Sequence, residues 1–234
     1  MSEHRQAIPL TNRFAEAMTV AHRWHAGHFR KGTPTPYISH LLGVASIALE
    51  YGANEDEAIA ALLHDALEDG PENTGIDATE LRKDIVRQFG ANVARLVDGA
   101  TDATPQAGEP KAPWAERKTA YLGKLLQEKN ASSLLISASD KVHNAQTILN
   151  AIKPLSGAER VEFFKRFNQG LEGTLQYYRF LVDAYRRAPG AQGRVQLQAL
   201  FDLLDGTVTA IEEACGTTAE DVRRHPMLRG VLPA

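Results

Sequence analysis

The sequence predicts an all-α protein. Three observations carry that expectation. Apolar residues recur at helical spacing along most of the chain, and no stretch of any length alternates like a strand. Capping residues stand ahead of the periodic segments, and glycines or prolines stand behind them. No internal repeat is present.

The first helix is expected to start near Thr11 or Asn12, with Phe14, Met18, Ala21 and His25 on one face, and to end around 27–32. The G-T-P-T-P-Y that follows is a loop, because proline disfavours helix at and before itself. S-H-L-L-G-V-A-S-I-A-L-E-Y-G gives a second helix, stopped by Gly52. Asn54 and Glu57 have the spacing of a capping box for a third helix, which Gly70 is expected to close. Asp77 and Glu80 repeat that spacing ahead of the next one. Residues 102–114, D-A-T-P-Q-A-G-E-P-K-A-P-W, read as a loop, either disordered or a lid. A helix over about 115–128 precedes an apolar helix that begins A-S-S-L-L-I. Pro154 marks a boundary. Two long helical patterns then finish the chain, split by A-P-G-A-Q-G.

Composition narrows the function classes. The chain has 234 residues, 43% of them hydrophobic, so it can bury a sizeable core without staples. A formal net charge of -3 gives no electrostatic case for nucleic acid or an anionic membrane as partner. No apolar run reaches the roughly 20 residues of a membrane span, and the first residues lack the apolar core of a signal peptide. A cytoplasmic location is expected. A single cysteine, Cys215, excludes an internal disulfide and a multi-cysteine zinc site. With no cation flanking it, it reads as an inert thiol. Oligomeric state is left open.

The chemistry concentrates where apolar runs turn polar. Residues 59–70 read I-A-A-L-L-H-D-A-L-E-D-G. On a continuous helix His64 would stand over Glu68 and Asp65 over Asp69. Three carboxylates at the negative end of a helix dipole call for a counter-charge. Either that end is solvated, or a divalent cation meets it. P-Y-I-S-H places His40 at the start of an otherwise apolar helix. S-A-S-D-K-V-H-N-A-Q-T puts Asp140, Asn144 and Thr147 on one face of a core-like helix. His40, His64, Asp65 and Asp140 would make a two-imidazole, two-carboxylate set. Such donors suit Mn²⁺, Fe²⁺ or Zn²⁺ better than Mg²⁺ or Ca²⁺.

Four stretches in order, A-G-H-F-R-K-G…P-Y-I-S-H, A-A-L-L-H-D-A-L-E-D, F-G-A-N-V-A-R-L-V-D-G-A-T and A-S-D-K-V-H-N-A-Q-T, span about residues 20–150. Together they resemble the HD-domain metal-dependent phosphohydrolases. The match is nearest to the hydrolase domain of RelA/SpoT-type alarmone enzymes and the small stand-alone alarmone hydrolases. The resemblance implies a helical HD bundle over 1–155; it does not reach 156–234, whose amphipathic pattern reads as a helical extension packing on the core or forming a protein interface, with core packing favoured. It implies His40, His64, Asp65 and Asp140 as metal ligands, with Mn²⁺ the expected ion. It implies Glu68 and Asp69 as the pair handling the attacking water. Arg30, Lys31, Asn144 and Thr147 are the implied nucleotide contacts. The implied reaction removes the 3′-pyrophosphate of ppGpp or pppGpp.

The chain departs from the family pattern around the substrate pockets. The loop between Lys31 and His40 is one residue longer, and His28 stands where the family commonly has Gln. The lysine expected after D-G-A-T is displaced to Lys111. These changes put the substrate in question more than the hydrolysis and open an adenosine alarmone as an alternative. Phosphate removal from a nucleotide or a dinucleotide such as NADPH is the runner-up reaction. A nucleotide-binding regulator without catalysis is a third reading, against which the full set of Glu68, Asp69 and the four ligands argues. His22, His25 and His28 would step progressively around a helix, so that only neighbouring pairs approach each other, with His25 a hydrogen-bonded core histidine. His143, off the face of Asp140 and Asn144, is left out of the ligand set. Glu116, Arg117 and Lys118 read as a solvated face.

Overall fold

The computed structural model describes residues 9–101, 112–228 and 230. Among the described residues, regular structure is helical throughout, apart from one isolated antiparallel bridge between Phe29 and Pro36. None of these helices is long and apolar enough to cross a membrane. Most of the 102–114 loop, with Lys111, lies outside the described residues.

Local chemistry sets the elements in the first half. α1 (Asn12–Trp24) starts where the Thr11 hydroxyl accepts from Arg13 N. α2 (Ile38–Glu50) ends before Gly52, whose φ of 84° is the left-handed geometry that favours glycine. α3 (Glu55–Leu62) opens on the full capping box: Asn54 Oδ1 accepts from Glu57 N at 3.0 Å, and Glu57 Oε2 accepts from Asn54 N at 2.7 Å.

The expected continuation of α3 to Gly70 is wrong. Leu63 N divides its bond between Ile59 O and Ala60 O, and Ala66 N then reaches Leu63 O. The chain winds tighter from there, and residues 63–69 form successive turns. Gly70 opens the short α4 (Gly70–Thr74) instead of closing α3. α5 (Ala78–Phe89) and α6 (Ala91–Ala100) follow. Asp77 caps α5 through Thr79 N, but Glu80 turns outward to Lys83, so that box is half formed.

α7 (Trp114–Leu125) leads into α8 (Ala131–Ile152), the spine of the molecule. Residues 133–140 of α8 are buried without interruption, against α2, α3 and α6 on the side of the first half and α11 on the other. α9 (Gly157–Phe164), α10 (Gly170–Arg187), a 3-10 turn at Pro189–Gly193, α11 (Val195–Ala214) and α12 (Ala219–Arg224) complete the chain. α11 makes the most extensive helix pair in the fold with α8. Arg194, just ahead of α11, donates to Glu57 Oε1 at 2.6 Å and to Gly52 O, clamping the later helices to the α3 cap.

A buried ion pair joins α10 to α11. Arg179 Nε and Nη2 reach the two Glu212 oxygens at 2.8 and 2.6 Å, and Nη1 reaches Asp205 at 2.5 Å. Glu212 is 1% exposed. Removing one partner of such a pair strands the other charge in low dielectric. Arg179→Met should therefore lower stability by about 3–5 kcal/mol, read as a reduced urea midpoint. Replacing Arg179 and Glu212 together by apolar residues should restore much of that loss.

Candidate metal centre

Three separate elements deliver the central groups. His40 enters from the first turn of α2, His64 and Asp65 from the turns after α3, and Asp140 from the middle of α8. His40 Nε2 lies 3.1 Å from Asp140 Oδ1 and 3.5 Å from Asp65 Oδ2. His64 Nε2 lies 2.9 Å from Asp65 Oδ2 and 3.7 Å from Asp140 Oδ1. His40, His64 and Asp140 are buried, and Asp65 is half-buried.

The proton positions follow from the partners. His64 Nδ1 is 2.8 Å from Ala61 O. A carbonyl only accepts, so the proton of a neutral His64 ring is on Nδ1 and Nε2 carries a lone pair. That Nε2 is buried and, despite its nearness to two carboxylates, has no hydrogen-bond partner. A lone pair facing carboxylates is repulsive, and a cation between them reverses the sign. Two imidazoles and two carboxylates are donors that suit a divalent transition ion.

The carboxylates are shaped by an outer ring of contacts. Lys141 Nζ donates to Asp140 Oδ2 at 2.6 Å, and Asn144 Nδ2 donates to Oδ1 at 2.5 Å. Asn144 Oδ1 in turn accepts from Arg30 at 2.5 Å, bringing that guanidinium to the rim of the cluster. Tyr37 OH donates to Asp65 Oδ2 at 2.7 Å. His40 Nδ1 is 2.9 Å from His143 Nδ1. Burial pushes His143 down to about 4, with His40 and Arg30 adding to the effect. His143 is thus neutral near pH 7 and can accept from His40, leaving His40 Nε2 to face the carboxylates.

His143, Tyr37 and Lys141 are absent from the expected site residues. His143 stands three residues after Asp140, one helical turn on, which brings it to the same side of α8. Tyr37 has the same offset before His40. For Lys141 the available signal is a cation in the buried stretch of α8, where it needs a paired anion.

Burial alone would raise both carboxyl pKa values and lower that of His64. The neighbouring charges win. His64 and His40 hold Asp65 well below the usual carboxylate range, and Lys141, His40 and His64 do the same for Asp140. Asp65 and Asp140 hold His64 well above the ordinary imidazole range. With no metal, a proton on His64 supplies the missing positive charge.

The remaining expected residues are more dispersed. Glu68 and Asp69 are half-buried in the turns after Asp65. Thr147 is exposed, its hydroxyl bonded to His143 O at 2.9 Å. Lys31 is exposed in the loop after Arg30. The histidines of residues 22–28 do not wind around a helix, because α1 stops at Trp24. His25 is buried as expected, but its Nε2 has no hydrogen-bond partner, and burial pushes its pKa down to about 4. His25 and His28 instead meet Asp69.

Residues 17–163 match the HD domain family. The chain belongs to the HD-domain family. Its HD domain is related to those of RelA/SpoT-type enzymes. It is 36% identical over 134 residues to a GTP pyrophosphokinase of Streptomyces antibioticus, covering 57% of this chain and 14% of that protein. It is 32% identical over 143 residues to the bifunctional (p)ppGpp synthase/hydrolase SpoT of Escherichia coli K12, covering 61% and 19%. The chain thus spans less than a fifth of the length of these relatives. A solved structure described as a metazoan ortholog of SpoT that hydrolyzes ppGpp superposes with a TM-score of 0.56 at 22% identity. That likeness, over 85% of this chain and 96% of the other, is one of fold.

A metal held at this cluster would compete with a proton for His64. Its raised pKa means the metal-free site holds a proton near neutral pH, and binding must expel it. Binding of a divalent metal there at pH 7 should release protons, and affinity should weaken as pH falls. Calorimetry in buffers of different ionisation enthalpy measures the release, and none is expected from Asp65→Ala.

Proposed function

We propose that the chain is a metal-dependent hydrolase that removes the 3′-pyrophosphate of (p)ppGpp-type alarmones. The meeting of His40, His64, Asp65 and Asp140 in one buried cluster is the observation that carries this reading. Kinship with SpoT-type HD domains supports the substrate class. His40, His64, Asp65 and Asp140 would hold the ion, Mn²⁺ first, with Fe²⁺ or Zn²⁺ accepted by the same donors. A divalent ion there supplies a Lewis acid and offsets phosphate charge.

The side chains around it divide the remaining work. Glu68 and Asp69, in the turns just past Asp65, take the proton of the attacking water. Water oxygen bonds to phosphorus, the bond to the ribose 3′ oxygen breaks, and that oxygen ends as a hydroxyl. Arg30, held by Asn144 at the rim, offers a planar guanidinium suited to phosphate oxygens. Lys31 adds a compact charge from the exposed loop. Asn144 and Thr147 contact the nucleotide from α8.

A second reading is an adenosine alarmone as substrate. His28 stacks on Tyr37 with ring centroids 4.0 Å apart, in the loop expected to border the nucleotide. Incubating Mn²⁺-loaded protein with ppGpp, ppApp and NADPH, with pyrophosphate and phosphate measured separately, tests both readings. Pyrophosphate from ppGpp is expected. Pyrophosphate from ppApp alone would favour the second reading, and phosphate from NADPH alone would overturn both. Asp65→Ala should lose the ion held by this cluster and activity together. Glu68→Gln should keep the metal and lose about 10²–10⁴-fold in kcat.

A further inference from the structure

A second cluster lies beside the first, built from residues the hydrolase reading leaves largely unused. His25 and His28 stand in the segment that leaves α1, and Asp69 ends the turns after α3. One ligand atom from each lies within 4.8 Å of the others. The two Nδ1 atoms are 3.2 Å apart, and Asn73 Nδ2 is 3.4 Å from the first and 3.3 Å from the second.

These three contacts form a closed triangle. A hydrogen bond needs one donor and one acceptor, and an imidazole nitrogen is one or the other. Three atoms in a ring cannot alternate two roles, so no placement of protons satisfies all three edges. If Asn73 donates to both rings, two lone pairs face each other. If one ring donates to the other, Asn73 meets a donor. Turning the amide end for end only moves the conflict to another edge. A cation inside the triangle removes the conflict, with both Nδ1 lone pairs and the amide oxygen directed at it. The dimensions agree. Ligands held about 2.0–2.1 Å from a tetrahedral ion stand about 3.3–3.4 Å apart. Asp69 supplies a negatively charged fourth donor.

The site is also held in place. His25 is 4% exposed. Both rings stack nearly parallel on Tyr37, His25 at 5.1 Å and 10°, His28 at 4.0 Å and 9°. Tyr37 is the residue that donates to Asp65, so it braces both clusters. His28 and Asp69 are half-buried, which gives an ion access from one side.

We propose that His25, His28, Asp69 and the Asn73 amide form a second site for a divalent transition-metal ion. Its donors are those of tetrahedral Zn²⁺ and Co²⁺.

Co²⁺ is the probe. The full chain is stripped with chelator and dialysed against Co²⁺, and bound metal is counted per chain alongside the visible spectrum. Wild type should hold two ions. His28→Gln and His28→Phe should each hold one. The phenylalanine keeps a ring against Tyr37, so loss of metal in both variants is separated from loss of packing. Asp65→Ala should also hold one, with the visible bands that the His28 variants lack, and Asp65→Ala with His28→Gln should hold none. Two ions retained in both His28 variants would overturn the proposal. So would a single wild-type ion that Asp65→Ala removes. A single wild-type ion that survives Asp65→Ala but not His28→Gln would uphold it while counting against the first cluster, so the two fail separately.

Discussion

The constraint on which the rest turns is the convergence of two carboxylates and two imidazole rings in a largely buried space. Such a set is repulsive unless something positive stands within it. The surrounding contacts hold both carboxylates in place. Lys141 takes the outer oxygen of Asp140, leaving Oδ1 toward His40 and His64. Backbone O of Ala61 and Nδ1 of His143 fix the two rings from behind, so both present Nε2 inward. Outer partners of this sort orient ligands and set their tautomers.

Packing places the groups where chemistry needs them. α8 serves the core with its first half and the site with its middle, so Asp140 inherits the rigidity of a buried helix. α3 ends one residue before Leu63, and the tighter turns beyond it carry His64, Asp65, Glu68 and Asp69 within six residues. Glu57 caps α3 and also receives Arg194, so the start of that element is tied to the later half of the chain.

Much of this was legible in the sequence because it is local. The caps at Thr11 and Asn54, the stop at Gly52 and the apolar register of α8 depend on neighbours within a turn or two. The pairing of Asp140 with Asn144 follows from their spacing of four. What escaped depends on contacts between distant segments. A-L-L-H-D-A-L suits a helix as well as it suits turns, and nothing local marks the end at Leu62. The reach of Tyr37 to Asp65 and of Arg30 to Asn144 joins residues far apart in the chain. The closeness of His25 and His28 follows from their spacing of three, but the path that brings them together is not helical, because α1 ends at Trp24. The offset of three from Asp140 puts His143 on the same side of α8, a signal as local as the offset of four to Asn144.

Anomalous diffraction from crystals grown with Mn²⁺ tests the central claim most directly. The expected result is a manganese peak bounded by His40 Nε2, His64 Nε2, an Asp65 oxygen and Asp140 Oδ1, with the Lys141 and His143 contacts unchanged. Crystals that hold manganese only away from these four atoms, or none at all with His64 bonded to Asp65 through a retained proton, would contradict it.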